Sequence, residues 1–405
     1  MKDIFTPADI LIPDGILMES WSVIACDQFS SEQEYWERVL GNVSGVPSTL
    51  KMIFPEVYLG KTDEAAVIND ISAEMDRYLK SGLFREIRDS FIYVERTQPD
   101  GRIRKGLIGA IDLEEYSFEE GSKSPVRASE DTVLDRLPPR VRIRRAAPLE
   151  APHIITFIDD KECTVIEPFS GKTDDLPLLY DFDLMEGGGH IRGFRVTGKD
   201  ANDVLETMRN LTAGNDMLMV MGDGNHSLAA AKVFWDELKL SLSGEERKTH
   251  PARKALIEVN NVYDPAVSFE AIHRVLFDTD AARFIEALTG ATPRGTDYTI
   301  RWTSNGERGD IGIKADCIGD MLKMLQTVID GFAEKTGCRV DYVHGAESVE
   351  KLAEKKACLG LILPAMDKTE LFATVAIRGV FPRKSFSVGH AKDKRYYLEC
   401  KRIQN

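Results

Sequence analysis

Asp223-Gly224-Asn225-His226-Ser227 sets an acid, an amide, an imidazole and a hydroxyl around a glycine within one short stretch. The apolar run Met217 to Met221 leads into it through Gly222, and Leu228-Ala229-Ala230-Ala231-Lys232 follows with strong helix preference. A strand, a two-glycine turn and a helix start are expected here. The first N–H groups of a helix have no intrahelical acceptor, and they lie at the positive end of its dipole. Such a place suits an anion, most often a phosphate. Spacing alone favours a plainer reading, in which Asp223 or Asn225 caps the helix and His226 packs beside it. Gly222-Asp223-Gly224 lacks the third glycine of a dinucleotide fingerprint, and Lys232 is misplaced for a Walker loop.

The elements that must position this turn are legible in outline. Ser31-Glu32-Gln33-Glu34 fits a capping box for a helix carrying Tyr35, Trp36 and Val39, and a second helix is expected from Asp63 to Leu83. Ile92-Tyr93-Val94 and Leu107 to Ile111 flank Pro99-Asp100-Gly101 and predict a hairpin. Val141 and Ile143 alternate with Arg140, Arg142 and Arg144, the pattern of a strand with one solvated face. A second hairpin is expected between His153–Ile158 and Thr164–Ile166, then a strand from His190 to Val196 and a helix ending at Leu211. After the central motif come a buried strand at Ala255–Val259 and an apolar segment from Phe269 to Leu276.

Beyond roughly Asp280 the pattern reads as a separate unit. Ile318, Met321, Leu322, Leu325, Val328, Ile329 and Phe332 trace one helix face, and Val340–Val343, Ser348–Lys355 and Cys358–Leu363 make a βαβ-like run. A last strand is expected at Tyr396-Tyr397-Leu398. The expected domains are therefore residues 1–279 and 280–405, with the Pro382–Tyr397 segment able to return to the first.

Further polar groups stand out along the chain. Arg127 and Glu130 lie outside the arginine alternation, Arg274 and His273 sit in an apolar run, and Arg383-Lys384-Ser385 looks loop-like. Asp27 stands in a short polar patch behind Val23-Ile24-Ala25.

Val220–Lys232, together with Arg127–Thr132, Ala271–Leu276 and Pro382–Ser387, resembles the bacterial and archaeal family called domain of unknown function 1015. Its turn is similar to the Asp-Gly-His-His-Arg turn of the ParB/sulfiredoxin-like superfamily, which includes free serine kinases, CTP-binding partition proteins and sulfiredoxins. The resemblance implies an α+β fold, a ParB/sulfiredoxin-like core in a mixed sheet with helices, plus a C-terminal α+β unit. It also implies that Gly222, Gly224, Asn225 and Ser227 receive nucleotide phosphates. Asn225 and Ser227 replace a histidine and an arginine of that turn, so Arg274, Arg383 or Lys384 would have to supply the missing cation, with Arg127 on a phosphate-facing strip. The turn has no cysteine, which excludes sulfiredoxin chemistry. On this reading the chain is a phosphotransferase acting on the hydroxyl of a small-molecule substrate, with ADP, ATP or CTP and Mg²⁺. Glu130 would act as base, His226 as a phosphate contact and Asp223 as metal ligand or turn cap. The alternatives are a non-catalytic nucleotide-binding regulator and a hydrolase of a small phosphoester.

Composition narrows the classes. With 52 Lys+Arg against 66 Asp+Glu, the net charge of −14 over 405 residues disfavours nucleic acid and anionic membrane as partners. Six scattered cysteines give neither a zinc motif nor a disulfide framework, and a signal-peptide core is not evident at Met1–Pro7. A cytoplasmic protein is expected, and a homo-oligomer is compatible with the sequence.

Overall fold

The computed structural model, which describes residues 3–213 and 216–404, contains an eleven-stranded sheet, a six-stranded sheet and a two-stranded ladder among those residues. Met1 and Lys2, part of the N-terminal stretch read above, lie outside the described residues. The chain divides into two compact units. The first holds residues 1–128, 132–267 and 390–405; the second holds 129–131 and 268–389.

The first unit carries an eleven-stranded mixed sheet. Its long central hairpin, Phe84–Thr97 with Ile103–Asp112, is the one expected around Asp100. Lys254–Asn261 runs antiparallel to the second arm of that hairpin and parallel to Ile155–Ile158. Met219–Asp223 lies next, antiparallel to Ile155–Ile158 and parallel to the short strand Val126–Arg127. On the far side, Gly189–Val196 and Leu178–Leu184 complete the order. Helix Glu64–Lys80 starts at Asp63, whose carboxylate accepts from the N–H groups of Ala65 and Ala66.

The second unit is a six-stranded sheet in which Phe269–Phe277 is central. Arg339–His344 and Cys358–Ile362 pair with it on opposite sides, both antiparallel, so the βαβ-like run read from the sequence is split by a strand. Helix Ile318–Thr336 buries Ile318, Met321, Leu322, Leu325, Ile329 and Phe332, the face expected from their spacing. Phe269–Phe277 pairs within this sheet, and the second compact unit takes up the chain at Ser268.

Four local expectations are corrected. Leu137–Ala146 is a helix, not a strand: Pro138 and Pro139 pre-set its first turn, and Leu137 and Val141, one helical turn apart, are its buried residues. Its arginines are not merely solvated. Arg140 pairs with Glu56, Arg142 with Glu64 at 2.9 Å, Arg144 with Glu150 at 2.6 Å and Arg145 with Glu237. Thr164–Ile166 forms no second hairpin arm, because the Asp160 carboxylate gathers the N–H groups of Thr164 (2.6 Å) and Val165 (2.8 Å) into a turn. Helix Gln33–Asn42 starts after Glu32 without a side-chain cap, so the Ser31 capping box does not form. Tyr396-Tyr397-Leu398 makes bridges and side-chain contacts rather than a strand; the strand is Lys401–Arg402, paired with Leu149–Glu150.

All six cysteines are free thiols. Among the described residues no helix is long and apolar enough to cross a membrane.

Candidate functional site

Met219, Val220 and Met221 are fully buried, and helix Asn225–Leu238 anchors itself on Leu228, Ala229, Ala230, Ala231, Phe234 and Trp235. Strand and helix are thus fixed by the core, and only the turn between them is left to vary. Its two glycines are required by geometry. A side chain on Gly222 would lie 2.5 Å from the Phe157 ring. Gly224 has φ +77° and is the residue before the helix, and a side chain there would meet Ile154 at 3.2 Å and His153 Nε2 at 3.6 Å.

The plain capping reading does not hold. Gly224 has no side chain to offer, Asn225 is already the first helical residue, and the Asp223 Oδ1 accepts from the Gly224 N–H at 3.0 Å, outside the helix. Ser227 N–H and Leu228 N–H both donate to the Gly224 carbonyl at 3.0 Å.

The other Asp223 oxygen, Oδ2, faces the ammonium of Lys394 at 3.4 Å. Lys394 is buried and was missed from the sequence, where it is one lysine in a basic run. Its position bears on the metal expected at Asp223: the oxygen that would bind Mg²⁺ already faces a cation. Asp223 therefore does not fit as a metal ligand, and among the described residues no group of three or more His, Cys, Asp or Glu side chains could hold a metal ion.

His226 Nε2 accepts the Val133 N–H at 3.1 Å, which places the proton of the neutral ring on Nδ1 and ties the motif helix to the segment after Arg127. Arg127 stands opposite Val220 in the parallel pairing with the motif strand. It is buried, donates through Nε to the Ser124 carbonyl at 2.8 Å, and burial lowers its pKa against the opposing pull of Asp216.

The remaining expected residues lie in the second unit. Glu130 Oε1 accepts from Ser385 N–H at 3.0 Å and Phe386 N–H at 3.4 Å. Burial raises its pKa, opposed by those amides and by the charge of Lys384. This carboxylate holds the loop that presents Arg383 and Lys384, which are exposed, with Lys384 at φ +60°. Arg274 is not a spare cation: it is buried, donates to the Ile272 carbonyl at 2.6 Å and to Gln326 Oε1 at 3.3 Å, and lies 4.5 Å from the Tyr342 ring.

His273 beside it is buried, its Nδ1 accepts the Leu363 N–H at 3.1 Å, and burial pushes its pKa down to about 4. The unfolded chain binds this proton near pH 6.5, so its contribution is whole above that value and is lost as the pH falls towards 4. Urea unfolding should show up to about 3 kcal/mol less stability at pH 4 than at pH 6.5 from this group. His273→Gln should flatten that slope.

A second group of residues meets near the turn in the first unit. Tyr397 Oη is 2.9 Å from His153 Nδ1 and accepts the Cys26 N–H at 3.2 Å. Ile24 bridges Tyr396, and the Ala25 N–H donates to the Arg395 carbonyl at 3.0 Å. Asp27, singled out in the sequence, follows Cys26 in this segment and lies within electrostatic reach of His153 and Lys394. Nothing in their spacing connects residues 27, 153, 223 and 394; only the sheet does.

The fold and the turn define an α+β protein of two units with an anion-suited strand–turn–helix in the first. The chain belongs to the family described as Protein of unknown function (DUF1015), whose profile matches residues 12–378. No curated protein matches it. Similar solved structures include SbnI with a C-terminal truncation from Staphylococcus aureus, at 8% identity and TM-score 0.38, covering 70% of this chain and 82% of that one. A free serine kinase variant in complex with AMP is similar at 11% identity and TM-score 0.40, covering 73% and 91%. A conserved hypothetical protein from Pyrococcus furiosus is similar at 12% identity and TM-score 0.34, covering 71% and 92%.

Proposed function

We propose that the turn from Gly222 to His226 receives the phosphates of a nucleotide, and that the protein passes a phosphoryl group from it to the hydroxyl of a small metabolite. The observation that carries this reading is Lys394, a buried ammonium at the mouth of the turn. An ammonium has three protons to donate, and that of Lys394 lies 3.4 Å from Asp223 Oδ2. A cation next to a helix N-terminus whose preceding residue has no side chain is arranged for a multivalent anion. Phosphoryl transfer asks for positioning and charge neutralisation rather than covalent chemistry, and these groups supply both.

Glu130 is not assigned as the base in this reading: it belongs to the second unit, where its Oε1 accepts from backbone amides of the 384–386 loop. Arg127, adjacent to the motif strand, supports the positive field. A regulator without turnover would share the turn and Lys394 and would differ in showing no transfer.

A thermal-shift series with ADP, ATP, CTP and GTP tests the reading. A nucleotide that binds should stabilise the native chain by roughly 2.7 kcal/mol at about 100 times its Kd. His226→Ala should lower the response by loosening the turn from Val133. If no nucleotide moves the melting point, the phosphate assignment is wrong. Transfer of label from γ-labelled ATP to a panel of glycerol, D-ribose, L-serine and L-threonine separates kinase from regulator.

A further inference from the structure

We propose that Asp27 is the proton acceptor of this site, the carboxylate set beside the phosphate-binding turn from the opposite end of the first unit. The inference rests on the phosphotransferase reading above and supplies the base that Glu130 does not.

Three contacts lock the segment 24–27 onto 394–397: the Ile24–Tyr396 bridge, Ala25 N–H to the Arg395 carbonyl at 3.0 Å, and Cys26 N–H to Tyr397 Oη at 3.2 Å. Two side chains then connect this segment to the turn. Lys394 reaches Asp223 Oδ2 at 3.4 Å. His153, oriented by Tyr397 at 2.9 Å, brings its Nε2 to 3.6 Å from the point where a Gly224 side chain would begin. Asp27 therefore shares both of its basic neighbours with the turn.

Its carboxylate is available as well as placed. Oδ1 accepts from the Gln28 amide at 3.0 Å, and the residue's own backbone N–H adds a second donor to the carboxylate. Burial works to raise the Asp27 pKa, but His153, the Gln28 amide and Lys394 outweigh it and hold the group below its ordinary value. The group is thus ionised and able to accept a proton at neutral pH.

In the step itself, the substrate hydroxyl oxygen attacks the γ-phosphorus of a nucleoside triphosphate. The new O–P bond forms as the bond from the γ-phosphorus to the β,γ-bridging oxygen breaks. The nucleoside diphosphate leaves with that electron pair, Asp27 takes the hydroxyl proton, and water removes it afterwards. Lys394 neutralises charge on the phosphates throughout.

The test compares the native chain with Asp27→Asn, and with Asp27→Ser should the first be poorly folded, by titrating ADP and pyrophosphate and by following label transfer from γ-labelled ATP. Removing one negative charge near bound phosphates should tighten ADP and pyrophosphate about 2- to 10-fold. Transfer should fall by roughly 10²- to 10⁴-fold. Unchanged or weakened ADP affinity, or unchanged transfer, overturns the assignment of Asp27. If the native chain itself binds neither ADP nor pyrophosphate, the nucleotide reading fails and this inference falls with it.

Discussion

Lys394→Met should abolish the response to nucleotide and also cost about 3 kcal/mol of stability, and the two losses should be separable. The stability loss arises because Asp223 Oδ2 is left buried, facing a methyl group instead of an ammonium. The binding loss follows from the proposed reading, in which the phosphates lose the cation that faces Asp223. Asp223→Asn added to Lys394→Met removes the stranded charge, so the double variant should regain most of the stability while remaining unresponsive to ADP. Urea unfolding and ADP titration of the native chain, both single variants and the double variant complete the cycle. Recovery of ADP binding in the double variant would show that Lys394 only neutralises Asp223 and that the anion site lies elsewhere.

Arg395→Met should be the more damaging change, with a loss on the order of 5 kcal/mol, a large part of a typical domain's 5–15 kcal/mol. Arg395 donates to Glu258 Oε2 at 2.9 Å, to Glu399 Oε2 at 2.7 Å and to the Pro152 carbonyl, and both carboxylates are buried. The two acids should not respond alike. Burial works to raise the Glu258 pKa, but Arg104 and Arg395 overcome it and keep the group low. At Glu399 burial wins over Arg395 and the pKa is raised. Glu258→Gln therefore removes a charge the network depends on, whereas Glu399→Gln keeps an acceptor for Arg395 and a partner for Tyr180. Urea midpoints should fall in the order Glu399→Gln, Glu258→Gln, Arg395→Met, the last being lowest. A large loss in Glu399→Gln matching that of Arg395→Met would mean that both acids are held as charges.

Much of the architecture was readable because it depends on local patterns. The hairpin around Asp100, the helix starting behind Asp63 and the amphipathic helix from Ile318 each carry their signal within one element. The turn at Gly222–His226 was also readable, since two glycines between an apolar strand and an alanine-rich helix admit few conformations. What failed were segments where a short pattern fits two periods. Val141 and Ile143 alternate as in a strand, but Leu137 and Val141 equally mark one helical turn, and two prolines decided the matter. The companions of the turn were illegible for a different reason. Lys394 and His153 reach it through pairings between segments far apart in sequence, so their side chains carry no local mark of where they end up. The resemblance gathered Arg274 and Glu130 instead, and both are engaged inside the second unit.

The first unit is interrupted by the second and resumes only at His390. Trp21 Nε1 donates to the Leu398 carbonyl, Ser22 to the Tyr397 carbonyl, and Leu11 exchanges hydrogen bonds with Cys400. On the ribosome these partners are made after the entire second unit. The N-terminal segments must therefore wait through the synthesis of more than a hundred residues, Ser268 to Gly389, before their interior can close. Lys394 arrives in that same stretch, so a nascent chain that stops short of it carries the turn without its cation.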